Sequence, residues 1–147
     1  MEINLEINNK SKSPIEGGFF SEVAEETLRE IKLDFLKNKK IDLSLAIVSE
    51  KEIEKLNQEY RKIKKPTDVL SFPEFATQKK LKAQKEKELF LGEIILCYDD
   101  IKKYADKKKI NLEEELAKVF AHGILHLLGM QHGKKMFALQ EKIAKNF

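Results

Sequence analysis

Every histidine of the chain, His122, His126 and His132, falls in the stretch AHGILHLLGMQHG at residues 121–133. Side chains four apart on a helix project from one face, one above the other, so His122 and His126 read as a two-pronged clamp for a metal ion. Gly129 stands where that helix would end, at a position suited to the left-handed backbone that most residues avoid, and a chain reversed there can return His132 to the same point. Zinc and similar divalent ions take imidazole nitrogen readily, and three protein ligands with a fourth position open is the arrangement of catalytic rather than structural sites. A histidine inside an apolar helix is more often a packed core residue than a ligand. The HxxxHxxGxxH spacing, with no histidine elsewhere, resists that explanation because buried imidazoles need polar partners. The pattern predicts a centre for one ion, zinc or another divalent transition metal.

One absence narrows the reaction. Zinc peptidases with a helical clamp of this kind carry Glu directly after the first histidine, as HExxH, where it serves as general base. Gly123 occupies that position here. The cradle is that of a peptidase but the base is missing, so a different hydrolysis comes forward.

Groups that hold a substrate are to be sought in LNQEYRKIKKPTDVLSFPE, residues 56–74. Arg61 closes a helix there, and its planar guanidinium suits a phosphate oxygen or a carboxylate, with an ordinary surface ion pair as the alternative. Thr67, Asp68 and Ser71 cluster around a short strand after Pro66. Local capping and turn chemistry, with side chains bonding nearby backbone, accounts for Thr67 and Asp68 somewhat better than substrate contact does.

At 147 residues and 41% hydrophobic, the chain fits a single domain, residues 1–147, able to bury its core without disulfides. A net charge of +3 permits a nucleic-acid partner without demanding one. The start, MEINLEINNK, lacks the apolar run of a secretory signal, and nothing approaches the roughly 20 apolar residues of a membrane span. Cys97 is the only cysteine and lies in an apolar run, as an inert buried thiol of a reducing compartment would. These features predict a cytoplasmic protein with no membrane partner.

The elements that must position the histidines follow from periodicity. Ile3, Leu5 and Ile7 alternate with polar residues as in a half-buried strand. Pro14, Gly17 and Gly18 punctuate a loop, and from Ser21 a helix runs with its apolar face from Phe20 to Phe35 and Lys37, Lys39 and Lys40 past its end. Residues 42–48 read as an interior strand, and Ser49 caps a helix to about Arg61. DVLSF at 68–72 is a short strand stopped by Pro73, and residues 74–88, with no periodic apolar face, read as a solvated, mobile loop. A strand at 89–97 holds Gly92 as a bulge or close approach, and two helices follow, one from Tyr98 to about Lys107 and one capped by Asn111 that carries the histidines. Met136, Leu139, Ile143 and Phe147 are spaced for a terminal amphipathic helix. The order β, α, β, α, β, β, α, α, α predicts a mixed α/β fold. It has one sheet of about four strands with helices packed over it, and the metal site lies on a late helix and the turn after it.

Three segments, LNQEYRKIKKPTDVLSFP at 56–73, LGEIILC at 91–97 and HGILHLLGMQH at 122–132, make the chain resemble the YbeY family of bacterial metal-dependent endoribonucleases that mature ribosomal RNA. The resemblance implies that His122, His126 and His132 hold a zinc-type ion and that Arg61 is the functional arginine of the substrate cleft, with Thr67, Asp68 and Ser71 as candidate substrate-binding residues. It implies a single-strand-directed endoribonuclease of 16S ribosomal RNA 3′-end maturation and ribosome quality control, with ribosomal RNA and the ribosome as partners and no DNA. The family usually has an aromatic residue or histidine and then Asp where Met130 and Gln131 stand, and an acid where Lys64 stands. Gln131 thereby lacks a carboxylate that could support a ligating histidine. With no Glu beside His122, either a metal-bound hydroxide acts as base or the RNA 2′-hydroxyl attacks. Two other classes stay open: a zinc-dependent peptidase-like hydrolase, and a non-catalytic, ribosome-associated RNA-binding module with a structural metal.

Overall fold

The computed structural model describes residues 1–147. Its four strands, β1 (Glu2–Asn9), β2 (Lys40–Ile47), β3 (Val69–Pro73) and β4 (Glu88–Leu96), form one sheet in the order β1-β2-β4-β3. β1, β2 and β4 run parallel, whereas β3 is an edge strand antiparallel to β4. The interior place of β2 explains its two apolar faces: Leu43, Leu45 and Ile47 face the main core, while Ala46 and Val48 join a smaller cluster with Ile53, Leu70, Ile95 and Cys97. Cys97 is fully buried, and burial pushes its thiol up to about 11, as suits an inert core sulfur.

Six helices complete the fold: α1 (Gly17–Ile31), α2 (Glu50–Arg61), α3 (Gln78–Lys82), α4 (Tyr98–Lys108), α5 (Leu112–Leu127) and α6 (Lys134–Ala144). The histidine-bearing α5 is the central one, touching α1, α4, α6, β3 and β4. Leu116, Phe120, Ile124 and Leu127 bury its core-facing side, and the Phe120 ring meets Phe20 of α1 edge-on, centroids 5.2 Å apart. Its start is capped by Asn111, whose side-chain oxygen accepts from the Glu114 N–H at 2.9 Å. Ser49 caps α2 in the same way through Glu52.

The structure departs from periodicity in three places. α1 begins at Gly17, so both glycines of the expected loop lie in its first turn, and it ends where Lys32 turns left-handed at φ 55°. Phe35 therefore falls in a 3-10 turn, Asp34–Leu36, that buries Leu36 instead. The segment 74–88 is not simply a solvated loop: Thr77 caps α3, and α3 plugs Leu81 into the main core. One buried leucine per short helix leaves no periodic stripe to read. α6 stops at Ala144, and Phe147 packs edge-on against Phe19 beyond its end.

Gly92 sits in β4 at φ 138°, and a Cβ there would lie 2.3 Å from the Phe72 carbonyl oxygen. Only glycine lets β3 lie this close, beside an irregularity in the β2–β4 register between Asp42 and Ser44. β3 is thereby held beside α5, and its Ser71 lines the cleft that holds the histidines. No helix of the chain is long and apolar enough to cross a membrane.

Candidate metal centre

His122 and His126 are half-buried on the side of α5 away from its core stripe. The helix then breaks at Gly129, which turns left-handed at φ 81° and whose amide donates to the His126 carbonyl at 3.0 Å. A Cβ at Gly129 would lie 2.4 Å from the Gln78 nitrogen, and the Gln78 side-chain amide donates to the Leu128 carbonyl at 3.1 Å. The first turn of α3 thus seals the reversal that brings His132 back.

The three rings converge through their Nε2 atoms. These stand 3.1 Å apart between His122 and His126, 2.9 Å between His126 and His132, and 3.2 Å between His132 and His122. On its far side, the His122 Nδ1 lies 2.7 Å from the Gln140 side-chain oxygen on α6. That oxygen can only accept, so Nδ1 carries the proton and Nε2 offers a lone pair to the cluster. Burial, with the nearby His122 and His132, pulls His126 below the ordinary imidazole range, which favours the neutral ring that a metal ion takes. Three ring nitrogens gathered this closely call for a cation shared between them. A zinc-type ion, bonded to imidazole at about 2.0–2.1 Å, meets that need. The residues fit the group.

Gln140 is a partner that sequence reasoning missed. It is 9% exposed and sits in the apolar stripe of α6 between Met136 and Ile143, and that one polar break was the available signal. Glu115 and Lys118 of α5 help hold α6 in register. Lys118 reaches Glu115 at 3.3 Å on its own helix and Glu141 at 3.2 Å on α6, one residue beyond Gln140. The support sought at position 131 therefore comes from position 140, while Gln131 is exposed. Gln140→Leu should keep the fold and weaken metal binding roughly 10–100-fold, as loss of an outer hydrogen-bond partner commonly does. Competition with a chromogenic chelator measures this, and unchanged affinity would show that the hydrogen bond is idle.

A cleft of about 610 Å³ opens onto the cluster, lined by all three histidines together with Arg61, Thr67, Asp68 and Ser71. Every candidate site residue from the sequence is therefore in one place. Arg61 is the last residue of α2, exposed, and forms no ion pair with any carboxylate. The Thr67 hydroxyl bonds the neighbouring Asp68 carboxylate at 3.4 Å rather than local backbone. Gly123 lies flush on the sheet, where its Cβ would come within 3.2 Å of Ile94. The position of the peptidase glutamate is occupied by helix–sheet packing.

The sequence model of the family described as Endoribonuclease YbeY matches residues 6–147. The chain belongs to the YbeY endoribonuclease family. Among its relatives in this family, the Endoribonuclease YbeY of Sulfurihydrogenibium sp. is 34% identical over 96% of this chain and 88% of its own length. That of Persephonella marina is 31% identical over 98% of this chain and 90% of its own. A Thermotoga maritima protein solved in solution superposes with a TM-score of 0.61 at 31% identity, covering 97% of this chain and 87% of that one.

Proposed function

We propose that this chain is a metal-dependent endoribonuclease that cuts single-stranded ribosomal RNA, acting in the cytoplasm in 16S 3′-end maturation and ribosome quality control. The observation that carries the chemistry is the convergence of three Nε2 atoms within 3.2 Å at the wall of a cleft that also holds an unpaired arginine. Membership of a family whose named relatives are endoribonucleases supports RNA as the substrate.

His122, His126 and His132 would hold the ion, zinc by preference for three imidazoles. When bound, it supplies Lewis acidity toward a phosphate oxygen and an activated water. The protein supplies the rest. Gln140 fixes the His122 tautomer, and the sealed turn at Gly129 fixes the reach of His132. Arg61 clamps a non-bridging oxygen as negative charge builds on it, and Thr67, Asp68 and Ser71, which line the same cleft, orient the strand. The packing of Gly123 against Ile94 disfavours a peptidase, since a glutamate there would displace the sheet contact.

The deciding experiment is metal analysis of the purified protein combined with cleavage of single- and double-stranded RNA, with and without chelator, and casein as control. Chelator-sensitive cleavage confined to single strands supports the reading. Casein hydrolysis, or RNA binding with no cleavage, counts against it.

The basic groups should contribute unequally. Lys79, Lys80 and Lys82 are exposed on α3 and distant in sequence from Arg61, which lines the cleft, and from the exposed Lys62, Lys64 and Lys65 that follow it. Replacing the α3 lysines by alanine should weaken RNA binding mildly and flatten its salt dependence, by about 0.7 in the log–log slope for each phosphate no longer neutralised. Titrations at several salt concentrations measure this, and an unchanged slope would remove α3 from the interface.

A further inference from the structure

Tyr60 is among the few large hydrophobic side chains left in water, at 59% exposure, and neither core cluster includes it. Its ring is nonetheless braced. The ring meets Phe72 of β3 edge-on, with centroids 5.1 Å apart and planes at 71°, and Phe72 is itself seated against the smaller core cluster. Tyr60 precedes Arg61 at the end of α2, and both line the cleft that contains His122, His126 and His132. Lys62, Lys64 and Lys65, all exposed, continue the chain from there. A braced aromatic ring with an open face, a free guanidinium on the next residue and exposed lysines following in the chain is the set of groups that binds an unpaired nucleotide: a π-face for the base and positive charge for the phosphate.

We propose that Tyr60, braced by Phe72, is a stacking platform for one unstacked nucleobase of the RNA strand whose phosphate lies at the histidine cluster. The assignment rests on the endoribonuclease reading and gives it a physical basis for single-strand preference. A base in a duplex has both faces covered by its neighbours, so only a base freed from the stack can lie on the ring. Stacking is tolerant of base identity, because every base has a π-face, so the platform selects strand state rather than sequence. Tyr60 is thus a positioning residue, fixing where the strand enters the cleft relative to Arg61.

The competing explanation is that the Tyr60–Phe72 pair only ties the end of α2 to β3. Single-turnover cleavage of a short single-stranded RNA, followed against concentration of the metal-loaded enzyme, separates the two through the half-saturating concentration and the limiting rate. Tyr60→Ala should raise the half-saturating concentration roughly tenfold or more and move the limiting rate far less. Tyr60→Phe and Tyr60→Trp should each recover the affinity that Tyr60→Ala loses. An abasic nucleotide walked along the RNA should cost the wild type a similar factor at one position, and cost Tyr60→Ala almost nothing there. Abasic penalties that are the same in both proteins at every position would overturn the platform, as would unaltered affinity in Tyr60→Ala. A wild type that binds and cleaves yet gives either result refutes the platform alone, whereas a wild type that neither binds nor cleaves refutes the reading beneath it.

Discussion

His126→Ala should purify without its metal and keep its fold. The His126 Nε2 lies 2.9 Å from that of His132 and 3.1 Å from that of His122, so its loss removes a ligand and leaves the other two without a shared focus. The effect should exceed the roughly 10–100-fold cost of losing an outer hydrogen-bond partner. The fold should survive because the ring is only half-buried and the opposite side of α5 holds the core through Leu116, Phe120, Ile124 and Leu127. Elemental analysis and far-ultraviolet circular dichroism on the same sample measure both halves. Full metal content would displace the site. Unfolding, in the variant or in chelator-treated wild type, would mark the metal as structural and favour a non-catalytic module.

How far the site could be read from the chain depends on whether each contact is local. His122 and His126 share a face because a helix dictates it, and Gly129 was identifiable as the turn because a glycine where a helix ends can take the left-handed backbone that other residues avoid. Those relations lie within a dozen residues. Gln140 supports His122 across 18 residues, through the packing of α6 on α5 and the Lys118 bridge to Glu141, and no helical period encodes that. α3 was hidden for a related reason: its hold on the core is one leucine, and its hold on the metal turn is one amide reaching 50 residues ahead to Leu128. The sheet was easier, because an interior strand such as β2 must be apolar on both faces and an edge strand such as β3 need not be. The guanidinium makes Arg61 stand out in the sequence, but only the fold brings the end of α2 across to the histidines.

Arg61→Ala should lower the cleavage rate far more than RNA affinity. The guanidinium reaches the cleft from the end of α2, where Lys62 turns left-handed at φ 62° and its amide caps the helix by donating to the Gln58 carbonyl at 3.1 Å. It has no carboxylate partner to leave, so engaging a phosphate costs no broken ion pair. Negative charge on the non-bridging oxygens grows as phosphorus becomes five-coordinate, and a donor placed there stabilises that state more than the bound substrate. Losing one such donor typically costs on the order of 100-fold or more in rate. Ground-state affinity should change little, since Lys62, Lys64 and Lys65 remain to attract the strand. Arg61→Lys should recover only a small part, because an ammonium does not reproduce the planar fork that spans two oxygens. Single-turnover cleavage and equilibrium RNA binding on both variants, at matched metal content, separate the terms. Equal losses in rate and affinity would make Arg61 a binding residue only, and unaltered cleavage would remove it from the site.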